Sequence, residues 1–207
     1  MNVLDTIIDL RNSAVREIVD KRIKEFRELK EKDSREMFKE LCFCILTANF
    51  NAKRSIEIQK RLGNEFLNAL EEELADSLKK CGHRYPRIRA RYIVEARKFR
   101  DSIKEILSSF ENGDHKREWL VKNIKGIGYK EASHFLRNIG CLDLAIIDFH
   151  IIDLLEKEGL IGRPKSLTKK RYLALESLLK DIARKIGIPV GELDLYLWYI
   201  ETGKILK

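Results

Sequence analysis

Three observations predict an all-α fold. Apolar residues recur at helical spacing, no alternating β-branched run of strand type is present, and the 207 residues contain only three prolines and eleven glycines. Pro86, Pro164 and Pro189 mark three breaks in the chain. Residues 1–31 read as one or two charged amphipathic helices, with Val15, Ile18, Val19, Ile23 and Phe26 at helical spacing. Asp33 and Glu36 fit an N-cap followed by an acidic third position. The helix they begin carries Met37, Phe38, Leu41, Phe43, Ile45 and Leu46, is apolar on most sides after residue 40, and is expected at the centre of the fold. Thr47-Ala48-Asn49-Phe50-Asn51 ends it. Helices follow at about 52–62 and about 71–80, then a loop at 81–86, then a strongly basic helix from near Arg87.

After Gly113 a second group of helices begins. Residues 116–123 lead into Gly126-Ile127-Gly128, and a helix runs from about Tyr129 to Asn138, closed by Gly140. Asp143 to Ile147 forms a short extended link, and a helix of about 148–158 follows. Helices at about 168–186 and 190–202 complete the chain, which has no internal repeat.

The length suits one large domain or two small ones with a real hydrophobic core. Apolar residues at 44% are too many for a disordered chain. No stretch approaches about 18 consecutive apolar residues, so no transmembrane helix is expected. The start, Met1-Asn2-Val3-Leu4-Asp5, lacks the basic-then-apolar order of a signal peptide, and a soluble cytoplasmic protein is expected. The charge is 41 Lys+Arg against 33 Asp+Glu, or +8. That excess fits a polyanionic partner, and equally a solvated surface laced with ion pairs. Cys42, Cys44, Cys81 and Cys141 show no C-x-x-C spacing and the four histidines are scattered, so no metal site is expected. Cys42 and Cys44 lie in an apolar run and read as core thiols.

The most informative stretch is Leu120 to Ala132, which reads helix, Gly-x-Gly turn, helix. Gly126 and Gly128 permit a sharp turn and close approach to another surface. The amides of Gly126 to Lys130 then lie at a helix N-terminus, where a phosphate oxygen is favoured, with Lys125 and Lys130 adding positive charge. Taken alone, this is equally an ordinary turn between helices. Asp148, in Ile147-Asp148-Phe149-His150, follows the turn and can serve as a helix N-cap or as an acid group.

Leu120 to Gly140 resembles a helix-hairpin-helix motif, and Lys130 with Asp148 resembles the catalytic pair of the helix-hairpin-helix DNA glycosylases. The link before Asp148 departs from that pattern, being poor in glycine and lacking a nearby proline. A lysine in this position is typical of the bifunctional, lyase-competent members. Together with the 41–54 helix-loop-helix, the motifs are similar to those of 8-oxoguanine DNA glycosylases. Length and the tail Trp198 to Lys207 resemble the compact form of archaea and some thermophilic bacteria. Endonuclease III-like relatives carry a C-terminal four-cysteine cluster, and no cysteine follows Cys141 here.

The resemblance implies two helical subdomains, about 30–115 and about 1–29 with 116–207, flanking a DNA-binding cleft. It implies excision of 8-oxoguanine from duplex DNA followed by strand nicking as an AP lyase, with a glycosylase for another oxidised base or a non-catalytic DNA-binding module as alternatives. Lys130 would attack C1′ and form a Schiff base, which needs a neutral amine. Burial and the positive end of a helix favour that form. Asp148 would stabilise cationic character on the sugar. The base must be flipped out. By the same resemblance Asn49 enters the vacated space, Arg54 contacts the orphaned cytosine, Asn51 assists or simply forms the C-cap of the preceding helix and its polar loop, and Arg84 and His150 contact the backbone. The wider run Arg84, Arg87, Arg89 and Arg91 is expected to face phosphates or solvent. Lys207 is the implied base-recognition element, and Trp198 or Phe50 stack on the flipped base or pack in the core. No cofactor is expected to be required, a monovalent cation at the hairpin backbone is an expectation of the same resemblance, and a monomer is expected.

Overall fold

The computed structural model describes residues 3–207; Met1 and Asn2, at the start of the first expected helical segment, lie outside the described residues. The described residues form thirteen α-helices and one short 3-10 helix, with no strand. In chain order these are α1 (Val3–Arg11), α2 (Val15–Glu31), α3 (Ser34–Thr47), α4 (Ala52–Leu62), α5 (Glu65–Asn68), α6 (Glu71–Lys80) and α7 (Pro86–Ala96). After the 3-10 turn Arg97–Phe99 come α8 (Ile103–Ser108), α9 (Gly113–Asn123), α10 (Tyr129–Asn138), α11 (Phe149–Lys157), α12 (Lys169–Ile186) and α13 (Val190–Thr202).

The chain divides into two compact units, one of Leu29–Phe135 and one of the residues up to Glu28 with Leu136–Lys207. The later boundary falls inside α10, so both hairpin helices start within the Leu29–Phe135 unit. Arg117, buried on α9, reaches Ser133 Oγ at 3.2 Å, and His134 meets the Phe43 ring edge-on at 5.5 Å.

In the Leu29–Phe135 unit α3 is the hub. Asp33 caps it by accepting the Glu36 N–H at 2.9 Å. Met37, Phe38 and every residue from Leu41 to Leu46 are buried, with α4, α5, α7 and α8 packed around them. Cys42 and Cys44 are buried in this core and form no disulfide, and burial pushes Cys42 up from its ordinary pKa. The one-turn α5 was not legible in sequence. It is held by Arg97, which donates to the carbonyls of Glu65, Phe66 and Ala69.

The other unit is built on α13, against which α1, α11 and α12 pack. Val15, Val19, Ile23 and Phe26 of α2 are buried as expected, whereas Ile18 is exposed. Arg137 pairs with Asp194, both buried, and lies 5.0 Å from the centre of the Phe26 ring. Pairing is what makes two charges tolerable there.

Candidate active site and nucleic-acid interface

In the Leu29–Phe135 unit the hairpin forms as its glycines require. Ile124 leaves α9 in an extended conformation, Gly126 reverses the chain at φ +81°, and α10 starts at Tyr129. A Cβ on Gly126 would sit 2.4 Å from Tyr92 Cδ2 and 3.1 Å from Arg89 Nη1, so only glycine fits both the backbone and the space. Arg117 braces the two hairpin helices, with its guanidinium 5.1 Å from the Tyr129 ring centre and 2.6 Å from Asp114 Oδ1. Tyr129 also hydrogen-bonds Glu118 across the hairpin.

Lys130 stands on the first turn of α10 with its side chain 25% exposed, sheltered yet reachable. The neighbouring Glu131 divides its carboxylate. Oε1 lies 3.6 Å from Lys130 Nζ, and Oε2 accepts the Gly128 N–H at 3.3 Å. One of the amides expected to face a phosphate is therefore covered by Glu131. Lys125 pairs with Glu95 at 2.8 Å on the surface.

The second element of this unit is the 47–54 loop. Phe50 N–H donates to Thr47 O at 3.0 Å, Ala48 has φ −62° and ψ 113°, and Asn49 has φ +57°. That is the pattern of a type II turn, whose third residue needs positive φ; asparagine tolerates it better than most residues. Asn49 is exposed at the tip. Asn51 caps α4 by accepting the Arg54 N–H at 3.0 Å. The Phe50 ring lies 4.1 Å from His83, centre to centre and tilted by 38°, and the Arg54 guanidinium carbon lies 5.4 Å from its centre. His83 Nδ1 accepts the Tyr85 N–H at 3.1 Å, so Nε2 carries the proton and donates to Leu46 O at 3.0 Å. Burial, against the pull of that carbonyl bond, holds His83 below its ordinary pKa.

Arg84 is exposed and lies 5.1 Å from the Tyr85 ring centre. Arg87 and Arg91 are also exposed. Arg89 corrects the expectation of a basic phosphate-facing run: it is buried and donates to Ala48 O at 2.5 Å.

In the other unit the link before α11, expected to be extended from Asp143, begins with Asp143 in a turn and Leu144 in a bend, and only then runs irregularly to Asp148, pairing with no strand among the described residues. Its buried backbone is satisfied by side chains of α12 instead. Glu176 accepts the Ala145 N–H at 2.8 Å, and the Tyr172 hydroxyl donates to Ala145 O at 2.8 Å while accepting the Ile147 N–H at 3.3 Å. This anchored link delivers Asp148, whose Oδ1 caps α11 by accepting the Ile151 N–H at 3.0 Å. His150 is exposed and meets the half-buried Trp198 edge-on at 4.9 Å. The Trp198 indole N–H is buried with no hydrogen-bond partner among the described residues. Lys207 is half-buried. Phe149, next to Asp148, is 75% exposed. Sequence reading missed it, although Ile151, Ile152, Leu154 and Leu155 define a buried face of α11 that leaves position 149 outside.

Among the described residues no group of three or more His, Cys, Asp or Glu side chains could hold a metal ion, and no helix is long and apolar enough to cross a membrane.

A family model described as 8-oxoguanine DNA glycosylase matches residues 19–188. The 8-oxoguanine DNA glycosylase/AP lyase of Korarchaeum cryptofilum is 54% identical over 207 residues, covering 100% of this chain and 98% of its own. The crystal structure of the Methanocaldococcus jannaschii 8-oxoguanine glycosylase/lyase, in complex with 15mer DNA containing 8-oxoguanine, has a TM-score of 0.96 at 53% identity, covering 99% of each chain. The Thermotoga maritima 8-oxoguanine DNA glycosylase has a TM-score of 0.92 at 44% identity, covering 99% of this chain and 98% of its own.

Proposed function

The chain belongs to the 8-oxoguanine DNA glycosylase family, and from that premise we propose that it excises 8-oxoguanine from duplex DNA and then nicks the strand as an AP lyase. The observation that carries the reading is the family match over residues 19–188, within which lie both the Gly126 hairpin with Lys130 and the anchored link that ends at Asp148.

The flipped nucleotide presents C1′ to Lys130. As the bond to the base lengthens, the sugar gains cationic character, which the Asp148 carboxylate stabilises. The Asp148 cap on α11 suits this role, because a carboxylate bound at one oxygen is fixed in direction while its other oxygen is available. The Lys130 amine adds to C1′, the base leaves with the bonding pair, and loss of a proton from nitrogen gives the Schiff base after ring opening. Loss of a C2′ proton then expels the 3′ phosphate. Asn49 fills the vacated space from its exposed turn, Arg54 and Asn51 approach the orphaned base, and Arg84 and His150 meet phosphates. Trp198 or Phe50 offers an aromatic face to the base, and Lys207 reads the difference between 8-oxoguanine and guanine. No step requires a cofactor. The hairpin's neutral carbonyl oxygens are the donor type that suits a monovalent cation. The protein acts as a monomer in the cytoplasm.

The test is excision from duplexes carrying 8-oxoguanine, an oxidised pyrimidine or no lesion. Release and nicking at 8-oxoguanine alone are expected, with the preference over guanine falling when Lys207 is deleted. Binding without release from any duplex would leave only a DNA-binding module.

A further inference from the structure

The type II turn that presents Asn49 differs from the commoner type I turn in the orientation of one peptide unit, that between Ala48 and Asn49. Flipping this unit would return Asn49 to negative φ, which L residues prefer. Some interaction must oppose the flip, and the Ala48 carbonyl belongs to the peptide unit that would rotate.

Arg89 holds that carbonyl. It projects from α7 and is 6% exposed. Its Nη2 donates to Ala48 O at 2.5 Å, and its guanidinium carbon lies 5.9 Å from the Tyr92 ring centre. Its Nη1 lies where a side chain on Gly126 would stand, 3.1 Å from an ideal Cβ there. One guanidinium therefore touches both the turn and the hairpin that precedes Lys130. Its Nε has no hydrogen-bond partner among the described residues, and burial, opposed by charges that include Glu131, pulls its pKa down from the ordinary value. A group serving only to fill this space would be apolar, since burying a guanidinium with an open N–H is costly.

We propose that Arg89 is a positioning residue for lesion capture, whose hydrogen bond to the Ala48 carbonyl locks the Thr47–Phe50 turn in its type II form and so aims Asn49 into the duplex. His83 supports the same segment two residues earlier through Leu46 O. The turn is thus set before DNA arrives, and the peptide flip is not left to compete with insertion.

The proposal rests on the glycosylase reading, and a double-mutant cycle separates the two. Single-turnover excision of 8-oxoguanine is measured for the wild type, Arg89→Met, Asn49→Ala and the double variant. Arg89→Met is expected to slow excision about tenfold in the wild-type background and less than about twofold when Asn49 is already alanine. Arg89→Lys, which keeps the charge without the fork's reach, runs through the same cycle and serves alone where Arg89→Met does not fold. Equal losses in both backgrounds would make Arg89 a structural residue with no role through Asn49, and no loss would also overturn the proposal. A wild type that releases no 8-oxoguanine would defeat the glycosylase reading instead.

Discussion

The Tyr172 hydroxyl donates to the Ala145 carbonyl at 2.8 Å, and the same oxygen accepts the Ile147 N–H at 3.3 Å. One side chain thus satisfies two polar groups of a buried link that has no strand partner, directly before Asp148. Tyr172→Phe leaves both unsatisfied, at a cost of about 1–3 kcal/mol. The expected outcome is a lower Tm and a fall in kcat for excision larger than any rise in KM, since Asp148 is displaced while the DNA-facing surface is intact. Calorimetry and steady-state kinetics on an 8-oxoguanine duplex check this.

His83 gives the fold a predictable response to acid. Its folded pKa lies below the ordinary value of about 6.5. Below that pH the unfolded chain takes up a proton that the folded one resists, so stability falls as pH drops from about 6.5 toward the folded value. Protonation would also set an N–H on Nδ1 against the Tyr85 N–H. His83→Gln should flatten this slope, and thermal melts between pH 7.5 and 5.5 read it.

Gly126 combines φ +81° with a Cβ position 2.4 Å from Tyr92 Cδ2. Gly126→Ala should cost on the order of 1–3 kcal/mol in strain and displacement. Duplex affinity should fall for lesion and undamaged DNA alike, because the proposed partner of the hairpin is the DNA backbone. Gly162→Ala, where a Cβ would meet nothing within 4 Å, should leave both unchanged. Melting curves and duplex titrations of the two variants check the contrast.

What could be read from the sequence was what local physics dictates. Asp33 and Asp148 cap helices because each stands just before a periodic run with buried apolar positions, whereas Asn51, expected as the C-cap of the preceding helix, is instead the N-cap of α4, and Ala48 ends α3. The hairpin follows from Gly126 and Gly128 between two such runs. Arg89 was misread because its neighbours Arg87 and Arg91 are exposed, yet Arg89, Ile93 and Ala96 share one buried face of α7, a spacing visible in the sequence. The Glu131 contact to the Gly128 amide was also legible, as an acid three residues into a helix. The Tyr172 and Glu176 anchors were not, because they act on backbone more than twenty residues away.

The central claim is that Lys130 is the nucleophile. Borohydride reduction during reaction with an 8-oxoguanine duplex converts a Schiff base into a stable protein–DNA adduct, resolved by its mass on a denaturing gel. Wild type is expected to form the adduct, and Lys130→Gln to form none while still binding the duplex. An adduct formed by Lys130→Gln at the wild-type level would contradict the account, as would a wild type that releases the base with no adduct.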